Sequence, residues 1–129
     1  MGVFRFKRFE VVNERSAMKV NTDGVLLGAA MTINSSDRVL LDIGTGTGTI
    51  ALMAAQRFLD FARNDNADAR NLTVHAIDID AISAEEAAMN FSNSPAFRRR
   101  AIPSDHRQMR AAEMRVLTNT LAPCSQAMR

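Results

Sequence analysis

The stretch Val39-Leu-Leu-Asp-Ile-Gly-Thr-Gly-Thr-Gly-Thr-Ile-Ala-Leu52 constrains this chain more than any other. An apolar run ends in an acid, Asp42, and then places glycines at 44, 46 and 48. The pattern predicts a buried strand, a tight turn and the start of a helix. Glycines give the turn its backbone freedom and remove Cβ atoms where a ligand must approach the main chain. A dinucleotide fingerprint reads G-x-G-x-x-G, whereas this one reads D-x-G-x-G-x-G, with the third glycine one residue early. A pyrophosphate seeks the positive end of a helix, and an acid at its lip would repel it. S-adenosylmethionine has no phosphate and carries a sulfonium, an ammonium and a carboxylate, so Asp42 suits it better. The competing readings are a glycine turn without a ligand and, more distantly, an NAD site.

Around that stretch the chain alternates strand and helix signals. Phe4-Arg-Phe-Lys-Arg-Phe9 alternates apolar with charged residues, which predicts a short half-buried strand. Its basic members Arg5, Lys7 and Arg8, with Arg15 and Lys19, could meet a phosphate backbone or form the wet face of that strand. Thr22 is a good N-cap and Asp23 suits a first turn, so a short helix should follow and lie against the glycine turn. Asn34-Ser-Ser-Asp37 breaks it. Residues 50–59 are helical in composition, and 60–71 read as a polar connection. Leu72 to Ile77 is a second strand with Asp78 at its tip, where an acid can accept hydrogen bonds from ribose hydroxyls. Asp80 caps a helix beginning near Ala81 and ending at Asn93-Ser94-Pro95.

Past Ala96 the periodicity fades. Ala101-Ile-Pro-Ser-Asp105 could be a truncated third strand and His106 to Arg115 a basic helix, while residues 116–123 show no clear period. The charge shifts at the same place. Residues 98–129 hold seven arginines against Asp105 and Glu113, and residues 1–97 hold nine basic and twelve acidic groups. The series predicts an α/β chain with a Rossmann-like layout, the first half of a doubly wound sheet preceded by a strand and a helix. Its expected divisions are 1–37 (strand and helix over the cofactor site), 38–97 (the βαβα cofactor half) and 98–129 (a basic tail).

Composition excludes several classes. With 129 residues and 47% hydrophobic content there is room for one domain with a core. The single cysteine, Cys124, excludes an internal disulfide, and no apolar stretch approaches the length of a membrane span. A cytoplasmic protein is expected. His75 and His106 lack partners at metal-ligand spacing, and no Ser, His and Asp set suggests nucleophilic catalysis.

Phe4 to Phe9, Met18-Lys19-Val20 with Thr22-Asp23-Gly24-Val25-Leu26-Leu27-Gly28, Asp42 to Gly48, Ala76-Ile-Asp78-Ile79-Asp80 and Asn90-Phe-Ser-Asn-Ser-Pro95 together resemble the tRNA(Val) adenine-37-N6 methyltransferases. The resemblance covers roughly residues 4–95. It implies an S-adenosylmethionine-dependent enzyme acting on the anticodon loop of valine tRNA. Lys19, Thr22, Asp23, Asp42, Gly44, Thr45, Gly46, Gly48, Asp78 and Ile79 are then the candidate cofactor-binding residues. Asp105 joins them as the acid that in this family contacts the cofactor's adenine amine.

The family's Asn-Pro-Pro-Tyr motif holds the target amine and stacks on the flipped base. This chain has no Tyr, no Trp and three isolated prolines, so the motif is absent and no catalytic residue is assigned. The expectation is a truncated or frame-altered product that binds the cofactor weakly and does not methylate. The alternatives are a methyltransferase for protein or small molecules, and a non-catalytic cofactor- or RNA-binding fragment.

Overall fold

A computed structural model of the chain describes residues 2–34, 36–64, 72–96 and 113–118. Their elements are β1 (Val3–Arg5), β2 (Glu10–Val12), α1 (Thr22–Ala30), β3 (Val39–Ile43), α2 (Thr49–Asn64), β4 (Thr73–Asp78), α3 (Ala81–Asn93) and β5 (Glu113–Thr118). β1 and β2 form an antiparallel pair, and β3, β4 and β5 form a parallel sheet in that order.

The alternation over Phe4 to Phe9 belongs to a hairpin and not to one strand. Its turn is closed by the Phe6 N–H donating to the Phe9 carbonyl at 2.9 Å, with the two rings stacked at 4.6 Å. Stacking two aromatics three residues apart buries more apolar surface than extending them along a strand would. α1 is also entered differently from the expectation. Its N-cap is Asn21, whose side chain accepts from the Gly24 N–H at 2.8 Å, so Thr22 is already helical. Asparagine outranks threonine as an N-cap, its side-chain oxygen satisfying an otherwise orphan N–H of the first turn.

α2 runs one turn further than its composition suggests. Asp60, expected in the connection, instead accepts from Gln56 one turn earlier and pairs with Arg8 at 3.3 Å. The third strand lies at Glu113–Thr118, inside residues read as basic helix and aperiodic tail. Pairing with β4 in full register supplied the order that local pattern did not. The suggested strand at 101–105 lies outside the described residues.

Both sheet helices pack on one face. Leu52, Ala55 and Phe58 of α2 and Ala87 and Phe91 of α3 share a core with Leu72, Val74 and Ala76 of β4 and the flank of Leu40. Alanines on both helices let them approach the sheet closely. Phe9, Val11 and Ile33 complete the same core, so the N-terminal hairpin is seated on it.

β3 is not the buried strand its composition predicts. Among the described residues it ends the sheet, and Val39, Leu41 and Ile43 are 65%, 56% and 73% exposed, while Leu40 and Asp42 on the packed face are half-buried. No described helix is long and apolar enough to cross a membrane.

Candidate functional site

The candidate site is the turn joining β3 to α2. Gly44, Gly46 and Gly48 all adopt positive φ, at 73°, 56° and 83°, a region that side chains with a Cβ enter at a cost of about 1–2 kcal/mol. The three glycines do different work. A Cβ on Gly44 or Gly46 would meet no atom within 4 Å, so open space lies over the turn there. A Cβ on Gly48 would lie 2.6 Å from Cζ of Phe91, so that glycine lets α3 close onto the turn.

The turn is hung on the end of β4. The N–H groups of Gly44 and Thr45 donate to the Ile77 carbonyl at 2.8 and 3.0 Å. The Gly46 N–H donates to Asp78 Oδ2 at 2.8 Å, and the Asp80 N–H to Asp78 Oδ1 at 2.9 Å. Asp42 accepts from the Thr45 hydroxyl at 2.8 Å. Burial pushes the Asp42 carboxyl above its ordinary value, against the Thr45 hydroxyl and an Ala51 N–H that lower it, and the negative Asp78 adds to the rise. Two half-buried carboxylates therefore flank one glycine turn. Such a pair favours a cationic ligand and disfavours a phosphate.

Of the expected residues, hydrogen bonds link Asp42 to Thr45 and Gly46 to Asp78, which closes a ring around the turn. Ile79 stands next to it with 83% of its surface exposed. Lys19, Thr22 and Asp23 are exposed on the approach to α1 and its first turn. Lys19 donates to the Glu14 carbonyl, and α1 packs on α2 where Gly28 meets Met53. Asp105 lies outside the described residues. Asp80 caps α3 as expected, accepting from the Ser83 N–H and hydroxyl, and these bonds hold its carboxyl below the ordinary value.

Two residues assigned no site role from the sequence, Asn90 being noted only within the Asn90–Pro95 motif, hold the surroundings of the candidate site. Asn90, 1% exposed, accepts from the Val12 N–H at 2.8 Å and donates to the carbonyls of Val12 and Thr47, both at 2.9 Å. It joins the hairpin to the glycine turn. One helical turn earlier Glu86, fully buried, accepts from the N–H groups of Glu14, Arg15 and Ser16 at 2.8, 2.8 and 2.9 Å. Polar residues at i and i+4 on an alanine-lined helix face were the available signal. Among the described residues no group of three or more His, Cys, Asp or Glu could hold a metal ion.

Three N-terminal arginines make surface ion pairs. Arg5 pairs with Glu10 at 2.8 Å, Arg8 with Asp60, and Arg15 with Glu85 at 2.9 Å.

No family model matches the chain, and no solved structure matches it. Curated proteins do. A tRNA1(Val) (adenine(37)-N6)-methyltransferase of Vibrio vulnificus (strain YJ016) is 47% identical over 92 residues, 71% of this chain and 34% of that protein. The proteins of the same name from Phocaeicola vulgatus and Pseudoalteromonas translucida are 49% and 42% identical over 92 and 95 residues. The chain spans about a third of the length of these relatives. Over that shared stretch, which includes most of its own residues, the chain is related to proteins named tRNA1(Val) (adenine(37)-N6)-methyltransferase at 42–49% identity.

Proposed function

We propose that the chain binds S-adenosylmethionine over the β3–α2 turn and is the cofactor-holding part of a Rossmann-like methyltransferase for adenine 37 in the anticodon loop of valine tRNA. The observation that carries this reading is the pair of open glycines, Gly44 and Gly46, between the carboxylates of Asp42 and Asp78. When bound, S-adenosylmethionine supplies a methyl group on a positively charged sulfur. The turn leaves its main chain accessible, the two acids attract the cationic ligand, and Asp78 keeps lone pairs for ribose hydroxyls beyond its two N–H partners. The exposed Ile79 offers apolar surface to a ring system. Lys19, Thr22 and Asp23 border the same pocket in this reading, and a tRNA substrate implies the cytoplasm.

The name shared by the relatives supplies the acceptor. The sequence has no Asn-Pro-Pro-Tyr, so in this reading the 129 residues alone bind cofactor weakly and leave the amine unmethylated. Calorimetric titration with S-adenosylmethionine tests the first part: Asp42→Ala and Asp78→Ala should each weaken binding, and binding that survives both removes the site. Incubating the purified chain with valine tRNA and methyl-labelled cofactor tests the second. Incorporation of label would refute it.

A further inference from the structure

We propose that Asn90 is a positioning residue that joins the N-terminal hairpin and the glycine turn into one cooperative unit, so that a ligand seated on the turn also stabilises the hairpin. In an antiparallel pair, residues that exchange main-chain bonds alternate with residues whose N–H and C=O point away from the partner strand. The bonds from the Phe6 N–H to the Phe9 carbonyl and from the Asn13 N–H to the Gly2 carbonyl place Val3 and Val12, paired in register, in the second class. Val12 therefore turns its N–H and carbonyl to the open edge of β2. Asn90 meets both, accepting the N–H on Oδ1 at 2.8 Å and donating from Nδ2 to the carbonyl at 2.9 Å. One side chain thus satisfies at this edge the groups that a further strand would satisfy.

The other hydrogen of Nδ2 goes to the Thr47 carbonyl at 2.9 Å, between the second and third glycines. Three glycines at positive φ make the turn easy to deform, so its shape depends on the bonds that reach it. The Gly48 N–H donates to the Thr45 carbonyl at 2.8 Å, so Thr45 and Asn90 hold the two ends of the Thr47–Gly48 peptide. Ile77 and Asp78 of β4 hold the first half of the turn. Among the described residues, Asn90 is the one of these partners that also bonds to the hairpin. Its oxygen and both its hydrogens are engaged and it is 1% exposed, so water does not replace a bond that opens. If the hairpin lifts away, the carboxamide loses both Val12 bonds, and with them the rotamer that aims its remaining hydrogen at Thr47. The cost of opening one segment therefore includes loosening the other. Coupling of this kind is reciprocal, so a contact that steadies the hairpin steadies the turn as well.

The inference rests on the reading that S-adenosylmethionine occupies the turn, and hydrogen exchange of single amides followed by NMR tests the two separately. The Phe6 and Asn13 amides report on the hairpin and the Gly48 amide on the turn, and none of them bonds to Asn90. With S-adenosylmethionine at about ten times its dissociation constant, all three should slow by about tenfold in the unsubstituted chain. In Asn90→Ala, with ligand at about ten times the variant's own constant, Gly48 should still slow about tenfold while Phe6 and Asn13 change less than about twofold. Glu86→Gln weakens the hold of the same helix on residues 14–16 and leaves the Asn90 bonds in place, so it should keep the full response. That contrast separates linkage from a general loss of stability. Slowing of Gly48 without Phe6 in the unsubstituted chain, which needs no variant to fold, overturns the proposal. So does slowing of Phe6 in Asn90→Ala equal to that in the unsubstituted chain. If no amide responds to the ligand, the cofactor site falls and the urea dependence of exchange without ligand decides the coupling. Openings of Phe6 and Gly48 that coincide in the unsubstituted chain and separate in Asn90→Ala uphold it, and openings that already differ in the unsubstituted chain overturn it.

Discussion

Replacing Glu86 by Gln probes how the segment leading from the hairpin to α1 is held. The buried carboxylate accepts three main-chain N–H groups, from Glu14 and Arg15 on Oε1 and from Ser16 on Oε2. Burial alone would raise its pKa, but these N–H donors outweigh it and bring the group from 4.5 to about 2. A depressed carboxylate pKa favours folding at every pH above the unfolded value, and the benefit fades as pH falls through the folded one. At 1.36 kcal/mol per unit, this carboxylate contributes about 3 kcal/mol at pH 7. Glutamine keeps one acceptor oxygen for two of the donors and turns an NH2 toward the Ser16 N–H, which loses a charge-assisted bond and strands a donor. Urea denaturation should therefore show Glu86→Gln less stable by about 3 kcal/mol at pH 7, with the difference shrinking between pH 4.5 and about 2 as the native carboxylate protonates. A deficit independent of pH, or one well under about 1 kcal/mol at pH 7, would refute the assignment of the charge to this role.

The glycines separate by function: Gly46→Ala should cost about 1–2 kcal/mol in thermal denaturation yet abolish cofactor binding by calorimetry, whereas Gly48→Ala, driven into Phe91, should cost about 3 kcal/mol. Asn90→Ala leaves the Val12 N–H and the Thr47 carbonyl without their shared partner, and urea denaturation should register a loss of about 3 kcal/mol together with weaker cofactor binding. Burial raises the Asp42 pKa, so in the fold its proton is held more tightly than in the unfolded chain, and its ionisation opposes folding above the raised value. Asp42→Asn should then raise the melting temperature at pH 7, lose that gain below the unfolded pKa of 3.8, and weaken cofactor binding at pH 7; a lower melting temperature at pH 7 would contradict the sign.

How far the site could be read in advance depended on whether a residue acts through its neighbours in sequence or across the fold. The strand–turn–helix of residues 39–52, the acid at the tip of β4 and the Asp80 cap follow from local pattern, and each stands where expected. Those features depend on contacts a few residues apart, which a sequence displays directly. Asn90 and Glu86 reach 78 and 70 or more residues back along the chain, and no local pattern records such a pairing. The hairpin at Phe6–Phe9 fell between the two, because its alternation is that of a strand while its turn is closed by a main-chain bond and a ring contact that the alternation does not display.

Residues 39–52 by themselves carried the expectation of a strand, a glycine turn and a helix start with an acid at the lip, because glycine spacing and a terminal acid are properties of covalent order. Tertiary structure alone decided which glycines face open space and which admits Phe91, and that two carboxylates share one turn. It also decided that β3, apolar enough to be buried, presents one face to solvent. Burial belongs to the neighbours a strand is given, and among the described residues β3 has β4 on one side and helices on only one face.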